Sequence, residues 1–194
     1  PDLDVIYVAT THNFHYEHVA LCLAANKSVL CEKPICINAQ EAQKLVSLSR
    51  KNDIFLMEAM WTRFFPAVIR LKKDIDIGII GAPQLVQADF GITKPPEAGS
   101  RFYEKKLAAG ALLDLGIYTI NFSNIVFGSQ PKGISGYAQF TDQGVDRLST
   151  YNLIYSEGRQ ALLSAAVALP TPHQARIYGD KGRIVVDDFY HPQQ

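Results

Sequence analysis

Lys33, Asp114 and Tyr118 have the residue types and settings to handle a proton. Lys33 stands in Glu32-Lys33-Pro34, an ammonium between a carboxylate and a rigid imide, and proline is the residue that can hold a cis peptide in a special turn. Asp114 and Tyr118 lie four apart in Ala111-Leu112-Leu113-Asp114-Leu115-Gly116-Ile117-Tyr118, so on a helix carboxylate and phenol share one face. A carboxylate on an otherwise apolar helix needs a partner or a solvated cleft, because burying it unpaired is costly. A phenol, with a pKa of about 10, is a poor base at neutral pH unless a cation favours phenolate. Lys33 is the cation expected to do so. Plainer readings stand beside these: a solvated ion pair for Glu32 and Lys33, a cap for Asp114, packing for Tyr118.

The elements that must position these groups are legible. Val5 to Ala9 is a short β-branched apolar run that predicts a buried strand of a parallel sheet. Helix formers from Tyr16 to Ala25 and the strand-like Ser28 to Cys31 follow it. Asn38 then caps a helix over Ala39 to Lys51, and Ile54 to Met57 supplies another strand. Such alternation implies a parallel sheet covered by helices, with ligands beyond the carboxyl ends of its strands. Thr10 to His15, Glu32 to Pro34 and Glu58 to Arg63 occupy those ends.

After Trp61 the texture changes. Phe64 to Ile75 and Ala111 to Val126 read as helices, the latter stopped by Gly128, and Gln84 to Ile92 reads as a strand. Five more strands follow, over 133–141, 148–155, 160–169, 175–179 and 183–186, with short connections that favour antiparallel pairing. The expected fold class is therefore α/β plus α+β. The C-terminal half of a Rossmann-like parallel sheet, residues 1–62, precedes a substrate and dimerisation domain with a mainly antiparallel open sheet, residues 63–194.

Composition narrows the function classes. Nineteen basic and nineteen acidic residues cancel, and 47% of the chain is apolar, which argues against a disordered chain and against nucleic acid as a partner. Apolar runs fall short of the roughly 18 to 20 residues of a membrane span. Three cysteines, Cys22, Cys31 and Cys36, suit a reducing cytoplasm better than a disulfide scaffold, and Cys31 reads as packed rather than catalytic. His12, His15 and His18 spread over about 240° of helix azimuth, and the cysteines lack close paired spacing, so no metal site is expected.

No Gly-x-Gly-x-x-Gly follows a strand, so the pyrophosphate turn of a dinucleotide site is not among these residues. At about 30 residues for each strand-helix-strand unit, roughly 60 residues of nucleotide domain are expected upstream. The last residues likewise suggest an internal fragment, inactive alone and prone to edge association.

Leu30-Cys31-Glu32-Lys33-Pro34, Met57-Glu58-Ala59-Met60-Trp61-Thr62-Arg63-Phe64-Phe65-Pro66, the Gly110 to Tyr118 segment and Gly144-Val145-Asp146 occur in this order. The series resembles the glucose-fructose oxidoreductase, inositol dehydrogenase and rhizopine-catabolism (Gfo/Idh/MocA) family over almost the whole chain. Tyrosine rather than histidine ending the Asp-containing helix is most similar to the branch that oxidises trans-dihydrodiols and D-xylose.

The resemblance implies an NADP-linked dehydrogenase, with NAD possible, acting on trans-1,2-dihydrobenzene-1,2-diol or on a pyranose such as D-xylose. It makes Tyr118 the acid/base, places Lys33 near the nicotinamide ribose and the reacting hydroxyl, and lets Asp114 seat the alcohol. Thr10, Thr11, His12, His15, Glu32, Pro34, Trp61 and Arg63 would line the cofactor edge, and Trp61 and Phe90 would shape the substrate pocket. It also implies a homodimer through the antiparallel sheet, with which apolar Ile177, Ile184 and Val186 are compatible, as they are with a core. A non-catalytic sugar or NADPH sensor on the same fold is the alternative.

Overall fold

The computed structural model describes residues 2–95, 97, 99–128 and 130–193. Three parallel strands come first: β1 (Val5–Val8), β2 (Ser28–Cys31) and β3 (Leu56–Glu58), in the order β1-β2-β3. They are joined by α1 (His12–Ala24) and α2 (Ala39–Lys51). Right-handed crossovers stepping in one direction put both helices on one sheet face, where Val8, Val29 and Cys31 pack against Val19, Leu23 and Leu45. Helix α2 has the predicted limits, with the Asn38 side chain accepting the Glu41 N–H at 2.9 Å.

In β1, Val8 is buried, and among the described residues Val5 and Tyr7 are 51% and 56% exposed. The pleat turns Ile6 and Val8 to the helices and Val5 and Tyr7 to the face without helices. Two sequence expectations shift here. Helix α1 starts at His12 rather than Tyr16, because its first turn is polar and hides the apolar period. Strand β3 starts two residues late, at Leu56, where it pairs with Val29.

A 3-10 turn, Trp61–Phe64, then leads to α3 (Pro66–Asp76), so the helix expected from Phe64 is two elements. Pro66 suits the first helical turn, where no N–H is needed. A six-stranded sheet follows, built from β4 (Pro83–Gly91), β5 (Gly133–Phe140), β6 (Asp146–Ile154), β7 (Gln160–Ala166), β8 (Ala175–Gly179) and β9 (Arg183–Val186). Its order is β5-β6-β7-β4-β8-β9, antiparallel except for β4 beside β7.

On one face of this sheet lies α4 (Ile117–Phe127), ended by Gly128 at φ 63° as the stop signal predicts. Phe122 of α4 is fully buried in one core with Val86, Phe90, Leu163 and Ile177. Ile177 is itself fully buried, and Ile184 and Val186 pack on the same core. Ile177 is thus interior, while Ile184 and Val186 are partly buried. The segment Lys105–Phe127 is long and apolar enough to cross a membrane by length and composition, and it is mostly buried against the sheet. That burial is what the core helix of a globular fold requires.

Candidate active site

The strand ends of the parallel sheet meet the start of α4. Lys33 Nζ donates to Asp114 Oδ1 at 2.8 Å and to the Asp114 backbone oxygen at 2.6 Å. Both side chains are largely buried, 11% and 4% exposed, so the carboxylate has found the partner that burial demands. The Lys33–Pro34 peptide is cis.

Asp114 is presented by a π-turn, Leu112–Gly116, where a continuous α-helix was expected. The wider turn accommodates close neighbours. A Cβ on Gly116 would lie 2.1 Å from the Tyr151 hydroxyl oxygen, and one on Gly110, at φ 132°, would lie 1.9 Å from Asp146 Oδ1. Asp146 in turn accepts the Leu112 N–H at 2.8 Å, tying down a first-turn donor that the helix leaves free.

Despite the π-turn, Asp114 and Tyr118 both face Lys33. Its ammonium lies 4.9 Å from the centre of the Tyr118 ring. Here the structure corrects the expected electrostatics, because Lys33 sits over the ring face rather than at the phenol oxygen, and Asp114 neutralises it. Burial pushes the Tyr118 phenol up to about 12; the hydrogen bond from Trp61 works the other way, and Asp114 and Glu32 add to the rise. Trp61 Nε1 donates to the Tyr118 oxygen at 2.8 Å.

A cavity of about 530 Å³ opens beside Lys33, lined by Thr10, Thr11, His12 and Glu32, with Arg101 and Leu107 opposite. His12 bonds the Ala108 carbonyl through Nδ1 at 3.1 Å, which makes Nδ1 the donor. Burial lowers the pKa of that imidazole. Glu32 accepts from the Tyr7 hydroxyl and, at 3.2 Å, from the Lys33 N–H.

His15 also lines the cavity but is fully buried, Nδ1 2.7 Å from the Pro34 oxygen and Nε2 2.9 Å from the Thr10 oxygen. One residue expected at the cofactor edge turns elsewhere. Arg63 points to Asn121, at 2.6 Å from its Oδ1. His18 bonds the Thr10 hydroxyl and stacks on Phe14, so His15 and His18 meet different atoms of Thr10.

On the far side of Tyr118 stands an aromatic wall. Phe90 lies 5.4 Å from the Tyr118 ring and stacks on Tyr190 at 4.3 Å, while His191 lies 5.6 Å from Trp61. Tyr190 and His191 were not singled out from sequence, nor was Arg101, whose Nη1 lies 3.5 Å from Asp114. Only long-range packing brings them here. Glu58, bonded to the Ile35 N–H, did carry a signal, since it ends a parallel strand.

Residues 68–185 match the family model of the GFO/IDH/MocA C-terminal domain, and residues 1–60 match that of the oxidoreductase family with an NAD-binding Rossmann fold. The chain belongs to the Gfo/Idh/MocA oxidoreductase family. Within the family it is similar to trans-1,2-dihydrobenzene-1,2-diol dehydrogenase of Xenopus tropicalis, 40% identical over 99% of this chain. It is 41% identical to the Danio rerio protein of the same name over 96% of the chain. The chain spans 58% and 55% of the lengths of these relatives.

Among solved structures it is similar to KijD10, a 3-ketoreductase from Actinomadura kijaniata in complex with NADP and TDP-benzene. The TM-score is 0.88 and the identity 26%, over 98% of this chain and 59% of the other. The aldose-aldose oxidoreductase of Caulobacter crescentus shares the fold, with a TM-score of 0.92 at 24% identity over 100% of this chain and 59% of the other.

The site fits one end of a nicotinamide cofactor. The cavity lies beyond the carboxyl ends of parallel strands, as such ligands require, and the buried Asp114 Oδ2 accepts no hydrogen bond among the described residues, with only the Arg101 guanidinium near it at 3.5 Å. The pyrophosphate turn is not among these residues, so they can hold only the nicotinamide and ribose end.

Proposed function

We propose that the intact protein is an NADP-linked dehydrogenase of ring-borne alcohols, oxidising trans-1,2-dihydrobenzene-1,2-diol or D-xylose at C1. The observation that carries this reading is the Lys33–Asp114–Tyr118 cluster, with Asp114 Oδ2 facing only the Arg101 guanidinium at 3.5 Å, between a strand-end cavity and an aromatic wall. Such a wall accepts an unsaturated ring or the C–H face of a sugar.

NADP, when bound, supplies the hydride acceptor. Thr10, Thr11, His12, Glu32 and Lys33 line the place for its nicotinamide end, and Trp61 and Phe90 shape the substrate side. Asp114 Oδ2 accepts a hydrogen bond from the alcohol and orients it. Tyr118 takes the hydroxyl proton in oxidation and returns it in reduction. A phenol raised to about 12 is protonated at neutral pH, which suits it as the proton donor of the reductive direction.

The outer face of the six-stranded sheet, where Tyr137 and Leu162 are 81% and 43% exposed, is the face for a second copy in a homodimer. The thiols of Cys22, Cys31 and Cys36 are unpaired, in keeping with a reducing cytoplasm.

The test is NADPH formation by the full-length protein with NADP and each alcohol. Turnover with either is expected, and Tyr118→Phe should lose about 10² to 10⁴ of it while keeping the fold. Tight NADPH binding without turnover of any cyclic alcohol would instead favour a sensor.

A further inference from the structure

The peptide group between Pro34 and Ile35 is held at both polar ends by side chains from different elements. Its carbonyl oxygen lies 2.7 Å from His15 Nδ1 of α1, and its N–H donates to Glu58 Oε1 at 2.8 Å, at the end of β3. A backbone group usually meets backbone or water. Here two charge-bearing side chains are spent on one peptide immediately after Lys33.

Glu58 also stands where two lines of the site diverge. Its backbone pairs with Cys31, one residue before Glu32, and the next residue, Ala59, donates to the Cys31 oxygen at 2.7 Å. Three residues after Glu58 comes Trp61, whose indole reaches the Tyr118 oxygen. One carboxylate thus links the turn that carries Lys33 to the turn that carries the Tyr118 hydrogen-bond partner.

We propose that Glu58 is a positioning residue: by accepting the Ile35 N–H it fixes the turn that holds the Lys33 ammonium on Asp114 and beneath Tyr118. The role is geometric. It needs an acceptor oxygen at the reach of a glutamate, and the negative charge is incidental. The catalytic meaning of this role rests on the function proposed above, but the positioning itself does not.

Three variants of the full-length protein separate reach from charge. Glu58→Gln keeps the oxygen and the length, Glu58→Asp keeps the charge but shortens the arm, and Glu58→Ala removes both. Acetylation of Lys33 by acetic anhydride, read by mass spectrometry against exposed Lys51, reports the position of the ammonium without any turnover. Lys33 should label several-fold faster in the Asp and Ala variants and at the parent rate in the Gln variant.

Where the parent turns over D-xylose or the dihydrodiol with NADP, the Asp and Ala variants should lose about 10-fold to 100-fold in kcat, the usual consequence of an ångström-scale misplacement. KM for NADP should change less, and Gln should restore kcat. Unchanged Lys33 labelling in folded Asp and Ala variants overturns the proposal, as does a Gln variant as impaired as Ala. If the Ala variant does not fold, the Asp and Gln pair carries the same decision. A parent protein inactive on both alcohols refutes the functional reading alone, and the labelling order still decides the role of Glu58.

Discussion

The two walls of the site are built by different physics. The Lys33 wall is polar and tied by side chains to backbone: His15 to Pro34, Glu58 to Ile35 and Lys33 to Asp114. The Tyr118 wall is aromatic and held by packing, with Phe122 of α4 interleaved with Phe90, Phe189 and Tyr190. Hydrogen bonds fix direction over short distances, and an ammonium that must meet a reacting hydroxyl needs direction. A shaped pocket for a ring needs surface and tolerates small adjustments. The polar wall thus serves placement, and the aromatic wall serves stability and shape.

The largest effect that could break this division concerns Asp114. Asp114→Ala leaves the Lys33 ammonium 11% exposed with no anion in contact, and removing one partner of a buried pair costs about 3 to 5 kcal/mol. Replacing both partners by apolar residues of similar size should restore most of that stability while turnover stays lost. Denaturant unfolding of Asp114→Ala and of Lys33→Met with Asp114→Leu checks this. A double variant as unstable as the single one would show that the ion pair also holds the fold.

The polar wall was the more legible of the two in the sequence. Lys33 follows a strand with a clean apolar pattern, and the rule that ligands gather at parallel strand ends points to Thr10, Glu32 and Glu58 before any packing is known. Helix α2 has its start written locally, in Asn38. The aromatic wall has no local signature. Phe90 and Tyr190 stack although one hundred residues separate them, and their chemical types alone say only that they are buried somewhere.

The π-turn was hidden for a related reason. Ala111 to Val126 keeps a helical apolar pattern throughout, and the extra residue per turn answers contacts from Tyr151 and Asp146 on β6, which helical periodicity does not encode.

A smaller effect sharpens the comparison at the point where the walls touch. With the Tyr118 phenol at about 12, its ionised fraction at pH 7 is about 10⁻⁵ and grows about tenfold per pH unit. Oxidation limited by that base should therefore climb through the alkaline range without a plateau. Reduction, which uses the protonated phenol, should stay level until the pH approaches the phenol's own value. Initial rates in both directions across pH settle the matter. A plateau of oxidation near neutral pH would mean that Lys33 reaches the phenol oxygen in the complete enzyme, and that the polar wall tunes the aromatic one.

The smallest effect reads the tightness of the polar wall directly. Cys31 and Cys36 flank the Lys33 turn, and burial, with nearby Glu58 adding to it, pushes both thiols up to about 12. Cys22 lies on α1 away from that turn, partly exposed, and is raised by burial alone. Since the thiolate is the reactive form, iodoacetamide should modify Cys22 first and reach Cys31 and Cys36 only as denaturant unfolds the domain. Peptide mapping after graded exposure gives the order. Cys36 reacting as fast as Cys22 in native buffer would show that the turn opens locally while the rest of the sheet stays closed. Hydrogen bonds from His15 and Glu58 would then be too weak to hold Lys33 in place, and placement would have to come from the ligands themselves.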